Sequence, residues 1–413
     1  MTNDNFNAAT SGAPAVKTGK PGVCELRNAR ILGPARGIDT IGDLRLAVHS
    51  PSISEIDCTG MIVMPSPIDL HAHFREGFQP SAISNQPFFL PLPETVASGS
   101  CAAARGGFAT VVTMPNTTPP VDTPEAVRWQ MNAPRHPFAK LRVLASACCT
   151  KGRAGKECAD LEALAAAGAV AFTDDGNMVE DDAVMEEVMD RAAALGVVVM
   201  QHALSNSHTE PEAIMRDIAL CAKTGCRLHI QHVSRAASVE LIREARARGL
   251  PVTAEATPHH LFFSEDDMPG RSAGTPPHAN WKMNPPLATC NDVAALRRGV
   301  ADGTITCFAT DHAPHTAEAK ARGFDDAPFG VIGLETALAA TWGVCHTPLQ
   351  WARRWICGPA EVLGIPPPSF PDSPATILSL EEWTVTDSDF ASSSRNSPFA
   401  GVKLPVKVRR MLG

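Results

Sequence analysis

The 413-residue sequence contains no tyrosine, and aromatic residues make up only 5% of it. It also lacks a surplus of positive charge, because 36 Lys and Arg stand against 44 Asp and Glu and give a formal net charge of −8. Proteins that bind nucleic acid through the phosphate backbone need a basic surface. The charge balance therefore argues against a nucleic-acid-binding protein.

Signals for export and for membrane insertion are absent as well. No apolar run is long enough to span a bilayer, and the first twenty residues lack the apolar core of a signal peptide. The twelve cysteines include no Cys-x-x-Cys pair, and the adjacent Cys148 and Cys149 cannot easily form an ordinary disulfide with each other. We therefore expect a disordered tail over residues 1–20 and a soluble, cytoplasmic protein with reduced cysteines.

What the chain does contain is a repeated alternation of apolar segments and Ala-rich helical segments. The predicted strands are 62–69, 108–114, 141–147, 169–174, 197–201, 228–233, 252–257 and 305–310. The predicted helices between most of them are 161–167, 184–195, 210–222, 238–247 and 292–301. Eight strands that alternate with helices predict an α/β fold, with parallel β-α units closed into a (β/α)8 TIM-like barrel.

The ends of the chain predict a second, smaller domain. Short β-like pieces lie between residues 23 and 57, and strand-like alternation returns at 375–385 after a further helix at 349–363. With no long linker between them, the two terminal segments are expected to combine into one small β domain. The predicted divisions are a tail at 1–20, the N-terminal part of the β domain at 21–60, the barrel at 61–345, and the last helix with the C-terminal part of the β domain at 346–413.

Residues that can bind metal lie at the ends of the predicted strands. His71 and His73 are two residues apart, so in an extended chain both imidazoles project to the same side. The other such residues are Asn116, Asp175, His202, His232 and Asp311. Taken singly, each histidine is more often structural than a ligand. The carboxyl ends of barrel strands meet at one face, however, so we expect the whole set to converge there.

Four histidines and two aspartates suit about two divalent ions, with a carboxylate as one bridge between them. A bound metal lowers the pKa of water, so such a site can hold a hydroxide near neutral pH. Asp311 could take the proton of this hydroxide and pass it to a leaving nitrogen. Arg75, two residues after His73, adds a positive charge. The combination predicts hydrolysis of an amide in an anionic substrate.

Residue spacing leaves some assignments open. Asp174 could bind metal in place of Asp175, whose Asp-Gly context is also a turn signal. His312 or His315, which lie close to Asp311, could replace another ligand. His259 and His260, which follow the seventh strand, are expected to be structural or to support the ligands. The ligand set also suits manganese, cobalt or iron as well as zinc.

Longer motifs follow one another in order along the chain. They are DLHAHFRE (69–76), MPNT (114–117), FTDDG (172–176), HVS (232–234), TAEATPHH (253–260), KMNPPL (282–287), TDHAPHT (310–316), APFG (327–330) and SRNSPFAG (394–401). In these motifs the sequence resembles the amidohydrolase superfamily and, within it, the type I bacterial dihydroorotases. The resemblance spans residues 23–401.

The resemblance implies a role for each matching residue. One zinc ion would be held by His71, His73, Asp175 and Asp311, and a second by Asp175, His202 and His232. Asp311 would also act as the acid and base. The residues implied in substrate binding are Arg75, Asn116 and His315 for the carboxylate, and Asn284 with the backbone of Phe329 and Gly330 for the pyrimidine ring.

The reaction implied is the reversible closure of N-carbamoyl-L-aspartate to L-dihydroorotate, the third step of de novo pyrimidine synthesis. The implied assembly is a homo-oligomer that could associate with aspartate transcarbamoylase. One alternative is a hydantoinase or allantoinase, but Arg75 and Asn116 favour a substrate with a carboxylate. Another is a non-catalytic scaffold, which would be expected to have lost ligands. The segment after His202 and the C-terminal segment are shorter than is usual in the family.

Overall fold

The computed structural model describes residues 16–17, 22–48, 55–79, 92–135, 141–270 and 278–413. Of the predicted disordered tail, Val16–Lys17 forms the short strand β1. The rest of that tail lies outside the described residues.

A sheet of seven strands is built from both ends of the chain. Its N-terminal strands after β1 are β2 (Val23–Gly33), β3 (Ile38–Ala47), β4 (Glu55–Asp57) and β5 (Met61–Pro65). β2 pairs with β3 along most of its length and pairs in parallel with β4 and β5 on its other side. Buried apolar side chains such as Leu26, Ile56 and Val63 form the core of this domain.

The larger sheet contains eight parallel strands, each paired with its neighbours in chain order. They are β6 (Ile68–Ala72), β7 (Thr110–Thr113), β8 (Arg142–Ala147), β9 (Ala171–Phe172), β10 (Val198–Gln201), β11 (Leu228–Ile230), β12 (Val252–Ala256) and β13 (Cys307–Phe308). The backbone N–H of His73 donates to the carbonyl oxygen of His312 at 2.8 Å, and Ala72 and His312 form a parallel bridge. The first and last strands thereby meet, and the predicted barrel is confirmed.

Helices follow the strands and cover the barrel. They are α1 (Val96–Arg105), α2 (Pro124–Asn132), α3 (Leu161–Ala166), α4 (Asp182–Leu195), α5 (Glu210–Thr224), α6 (Ala236–Ala247), α7 (Pro258–Phe262), α8 (Cys290–Asp302), α9 (Ala317–Lys320), α10 (Ala337–Ala340) and α11 (Pro348–Leu363). Helix α4 shows the local signals clearly, because the Asp181 carboxylate accepts from the N–H groups of Ala183 and Val184 and the left-handed Gly196 ends the helix. None of the described helices is long and apolar enough to cross a membrane.

The C-terminal strands complete the smaller sheet. They are β14 (Ala375–Ser379), β15 (Trp383–Thr384), β16 (Lys403–Leu404) and β17 (Lys407–Leu412). β14 lies antiparallel between β5 and β17, whereas β15 and β16 form a separate pair. The N- and C-terminal segments therefore share one sheet, as expected from the sequence.

The prediction of a single strand at 62–69 was wrong. This run is two strands in two sheets, because β5 belongs to the smaller sheet and β6 opens the barrel, with Ser66 and Pro67 between them. Both strands are buried nearly throughout, so their hydrophobic pattern gives no sign of a boundary. As a result His71 lies within β6 and not after the first strand.

Candidate active site

Six side chains meet at the carboxyl ends of the barrel strands. His71 lies in β6 and His73 directly follows it, while the others follow β9, β10, β11 and β13 and are Asp175, His202, His232 and Asp311. All six are buried. Parallel strands bring residues that are far apart in sequence to this one face of the barrel.

One group of contacts joins His71 and His73 to both aspartates. Oδ1 of Asp311 lies 3.1 Å from Nε2 of His73 and 3.4 Å from Nε2 of His71. Oδ1 of Asp175 lies 3.3 Å from Nε2 of His71, and its Oδ2 lies 3.5 Å from Nε2 of His73. These four side chains can surround one ion.

The second group joins Asp175 to the remaining histidines. Oδ1 of Asp175 lies 3.8 Å from Nδ1 of His202 and 3.8 Å from Nε2 of His232, and these two nitrogens are 2.9 Å apart. Asp175 is therefore shared between the two groups of histidines, which is the position that a bridging carboxylate requires.

The donor atoms fit divalent metal. Among the described residues, the buried atoms Nε2 of His71 and Oδ1 of Asp175 have no hydrogen-bond partner. A buried polar atom without a partner is costly, and a metal ion would satisfy both. Imidazole nitrogens and carboxylate oxygens are ligands for zinc and other first-row metals.

Electrostatics keep two of these side chains, Asp311 and His202, in the form that binds metal. Burial alone would raise the pKa of Asp311, but the charge of His71 and the hydrogen bond from His73 outweigh it and hold that pKa well below its usual value. Burial and the neighbouring His232 lower the pKa of His202 to about 3. At neutral pH the carboxylate is therefore ionised and the His202 imidazole is neutral.

A buried carboxylate in β12, Glu255, contacts two of the candidate ligands. Its Oε1 lies 2.7 Å from Nδ1 of His71 and accepts from the backbone N–H of His232 at 3.3 Å. Its Oε2 lies 3.1 Å from Nε2 of His229, whose Nδ1 contacts Oγ1 of Thr253 at 2.9 Å. With one proton kept on Nδ1 by Glu255, loss of the other proton from Nε2 of His71 would free that nitrogen to bind metal. Sequence reasoning missed Glu255, although a charged residue inside an apolar strand was an available signal.

Backbone conformation at the site is unusual at three positions. Arg75, His232 and Asp311 have φ angles of 51°, 33° and 46°. Residues with side chains rarely adopt this left-handed conformation, which costs on the order of 1–3 kcal/mol each. Two candidate ligands and the nearby arginine are thus held in strained conformations by the surrounding structure.

The groups predicted to bind a carboxylate lie beside the ligands. Nη1 of Arg75 lies 3.4 Å from Oδ1 of Asn116, and that oxygen also lies 2.7 Å from Nδ1 of His73. Asn116 therefore contacts both His73, a candidate ligand, and the arginine. Nε2 of His315 contacts the carbonyl oxygen of Phe329 at 2.6 Å.

The groups predicted to contact the ring have partners within the chain. Nδ2 of Asn284 lies 3.0 Å from Nε2 of His202. The N–H of Gly330 donates to the carbonyl oxygen of Lys282 at 2.9 Å, so it is already used. Gly330 has a φ of 128°, and a Cβ there would lie 2.7 Å from that of Ala313. Only glycine fits at this turn of the chain.

The residues that spacing left open take other positions. Asp174 accepts from the N–H of Thr150 at 3.1 Å, and Nδ1 of His312 accepts from the N–H of Gly333 at 3.2 Å. Both residues thus bond to neighbouring loops. His260 contacts Thr257 and the carbonyl oxygen of Pro285, whereas Nε2 of His259 is buried and has no partner among the described residues.

Comparison with known proteins identifies close relatives. Residues 60–229 match the model of the family described as dihydro-orotase-like. A dihydroorotase from Pelotomaculum thermopropionicum is 39% identical over 388 residues, which cover 86% of this chain and 86% of that protein. A dihydroorotase from Bacillus licheniformis is 37% identical over 408 residues, which cover 91% of this chain and 90% of that protein.

Solved structures with the same fold are more distant in sequence. The L-hydantoinase (dihydropyrimidinase) from Arthrobacter aurescens superposes with a TM-score of 0.75 at 23% identity and 94% coverage of both chains. The dihydropyrimidinase from Brevibacillus agri gives a TM-score of 0.77 at 20% identity, covering 95% of this chain and 94% of that one. At these identities the likeness shows the fold alone. The extended identity to the bacterial relatives, together with the matched family model, establishes that this chain belongs to the dihydroorotase family of the amidohydrolase superfamily.

Proposed function

We propose that this chain is a metal-dependent dihydroorotase that interconverts N-carbamoyl-L-aspartate and L-dihydroorotate in de novo pyrimidine biosynthesis. The observation that carries the proposal is the convergence of six ligand side chains around the shared Asp175, with Arg75 beside them. The relatives of similar length that are named dihydroorotase support the same reaction.

We propose two zinc ions per chain, held as the contacts suggest. His71, His73 and Asp311 would bind the first and His202 with His232 the second, with Asp175 shared between them. When bound, such ions polarise a carbonyl group and lower the pKa of water.

The residues of the chain position the substrate and move the proton. The Arg75 guanidinium pairs with the carboxylate of dihydroorotate, and the bidentate geometry of such pairs would orient the ring. Both histidine contacts of Asp311 use Oδ1, so Oδ2 is the oxygen that we assign to proton transfer toward the ring nitrogen. A carboxylate that keeps one oxygen free can serve as a base and then as an acid.

A hydantoinase or allantoinase would act on a similar ring. Such a substrate, without a carboxylate, would leave the partly buried Arg75 without an anionic partner from the substrate. Burial lowers the pKa of Arg75 to about 10, with the carboxylates of Asp311 and Asp175 opposing that effect. At neutral pH the group is therefore still charged, which favours an anionic substrate.

Location and assembly are further parts of the proposal. All twelve cysteines are free, which suits the reducing conditions of the cytoplasm. The family resemblance supports a homo-oligomer and an association with aspartate transcarbamoylase, which size measurements on the purified protein with and without that enzyme would test.

The decisive experiment measures dihydroorotate hydrolysis by ultraviolet absorbance and metal content on the same sample. We expect turnover with about two metals per chain, and much slower turnover of hydantoin and allantoin under the same conditions. Asp311→Asn should lose at least ~100-fold in kcat, because general acid-base catalysis contributes about that much. Faster turnover of hydantoin than of dihydroorotate would favour the alternative, and a zinc-loaded protein inactive on all three substrates would overturn the proposal.

A further inference from the structure

Lys320, the last residue of α9, is a buried lysine with only 5% of its surface exposed. A buried ammonium is costly unless its N–H groups all find acceptors. Its Nζ donates to the carbonyl oxygens of Pro328 at 2.8 Å, Ala279 at 3.0 Å and Lys282 at 3.3 Å. An ammonium has three N–H groups, so these three backbone carbonyls can accept a hydrogen bond from each of them.

The three carbonyls belong to the two segments that carry the expected ring contacts. Segment 278–287 contains Asn284, and segment 327–333 contains Phe329 and Gly330. The segments also bond to each other, because the N–H of Gly330 donates to the same carbonyl of Lys282. One ammonium therefore fastens together the two stretches of backbone on the substrate side of the site.

Lys320 also links these segments to the stretch that carries the acid-base residue. The helix α9 begins at Ala317, two residues after His315 and six after Asp311. This short helix therefore joins Lys320 directly to the segment that carries His315 and Asp311. The lysine thus connects segments 278–287 and 327–333 with the stretch that carries Asp311 and His315, and all three are expected to hold fixed distances from the substrate.

The charge around Lys320 is positive. Within the described part of the chain, no carboxylate forms an ion pair with it. Burial, and after it the positive charges of Lys282 and Arg75, lower its pKa to about 8. Three cations thus act on one another at this side of the site, and the carboxylate of a substrate would relieve their repulsion.

We propose that Lys320 is a positioning residue for the substrate, which holds segments 278–287 and 327–333 at the separation that an anionic ring requires. This inference rests on the proposed function and adds to it a residue that would touch no reacting atom. It predicts that loss of the ammonium weakens substrate binding while the metal ligands stay in place.

The test compares Lys320→Met, which removes the charge and its donors, with Lys320→Arg, which keeps both. Lys403→Met is the matched control, because Lys403 is exposed and forms an ion pair with the exposed Glu382. We expect Lys320→Met to raise KM for dihydroorotate at least about tenfold, equivalent to ~1.4 kcal/mol. Metal content should be unchanged, kcat should change less than KM, and Lys320→Arg should recover part of the loss.

Hydrogen exchange on the same variants reports on the segments without substrate. We expect faster exchange at 279–282 and at Gly330 in Lys320→Met than in the control. Unchanged exchange, or faster exchange with unchanged KM, would overturn the inference. If Lys320→Met does not fold, Lys320→Gln, which removes the charge but keeps a polar end, takes its place, and wild-type exchange with wild-type KM in that variant would overturn the inference. If the wild-type protein does not turn over dihydroorotate, the proposed function fails, and exchange alone then decides whether Lys320 fastens the segments.

Discussion

The carboxylate of Glu255 should control how tightly the site holds metal, and the change Glu255→Gln tests this. The side chain is fully buried and contacts His71 at 2.7 Å and His229 at 3.1 Å. Burial raises its pKa, but the charge of His71 and the hydrogen bond from His229 outweigh burial and lower it to about 2. Glutamine therefore removes a real negative charge at nearly constant volume.

The expected loss of metal affinity follows from the hydrogen bonds that the glutamine amide can still make. Its oxygen can keep the bonds from His71 and from the backbone N–H of His232, while His229 can change its tautomer and donate to Thr253. The loss is then the charge on the bond to His71. Charged hydrogen bonds are worth about 1.5–3 kcal/mol and neutral ones about 0.5–1.5 kcal/mol. The difference corresponds to metal affinity about tenfold weaker, since ~1.4 kcal/mol is a factor of ten.

The assay is competition with a chelator of known zinc affinity, followed by metal analysis of the protein. Glu335→Gln is the control, because Glu335 is also a buried carboxylate but accepts from the N–H groups of Ala391 and Ser392. We expect weaker zinc binding in Glu255→Gln and unchanged binding in the control. Equal zinc affinity in Glu255→Gln and the wild type would refute the reasoning, because the charge would then have no effect on the ligand.

Three further predictions test the remaining assignments. Asp175→Ala should lose one metal and all activity, because this carboxylate contacts both groups of histidines. Asp174→Ala should keep metal and turnover, because Asp174 bonds to Thr150 instead. The reverse pattern in metal analysis would contradict the assignment. Arg75→Met should raise KM for dihydroorotate by at least about tenfold, given ~1.5–3 kcal/mol for a charged hydrogen bond, with metal content unchanged; an equal loss of both would count against its role. Burial, opposed by the charge of Arg216, raises the pKa of Asp217 to about 7. Because this pKa is higher in the folded than in the unfolded protein, the stability that Asp217 contributes is full below its unfolded pKa and is lost as pH rises through about 7. Asp217→Asn should therefore gain stability relative to wild type between pH ~4 and ~7 in urea unfolding. A constant difference in unfolding free energy across this range would argue against the prediction.

The sequence contained enough to predict the barrel but not every strand boundary. Alternation of apolar strands with helices such as α4 and α5 is repeated along the chain, and repetition of this kind predicts parallel β-α units. The joint between β5 and β6 could not be predicted, since both strands are buried and only their pairing distinguishes them. Pairing partners such as β14 lie hundreds of residues away, and hydrophobic periodicity carries no information about them.

The candidate site divides in the same way. The convergence of His71, His73 and Asp311 could be predicted because they are reactive residue types at strand ends, and strand ends meet at one face of a barrel. Glu255 and Lys320 were missed because their proposed roles depend on which imidazole or backbone carbonyls they contact, and the folded chain decides this. The choice between Asp174 and Asp175 likewise depends on the direction of two adjacent side chains at one turn.

The joint between the two sheets has a consequence for how the protein matures. Ser66, the residue after β5, contacts Thr376 in β14 through their hydroxyl groups at 2.8 Å across 310 residues of chain. Only Pro67 separates Ser66 from the strand that carries His71. During synthesis the partner of Ser66 is therefore made only after almost the entire polypeptide, so the surroundings of Ser66 are completed late. Contacts of such long range are slow to form, so a chain shortened before β14 would be expected to leave β5, the strand that precedes the one carrying His71, without its C-terminal partner.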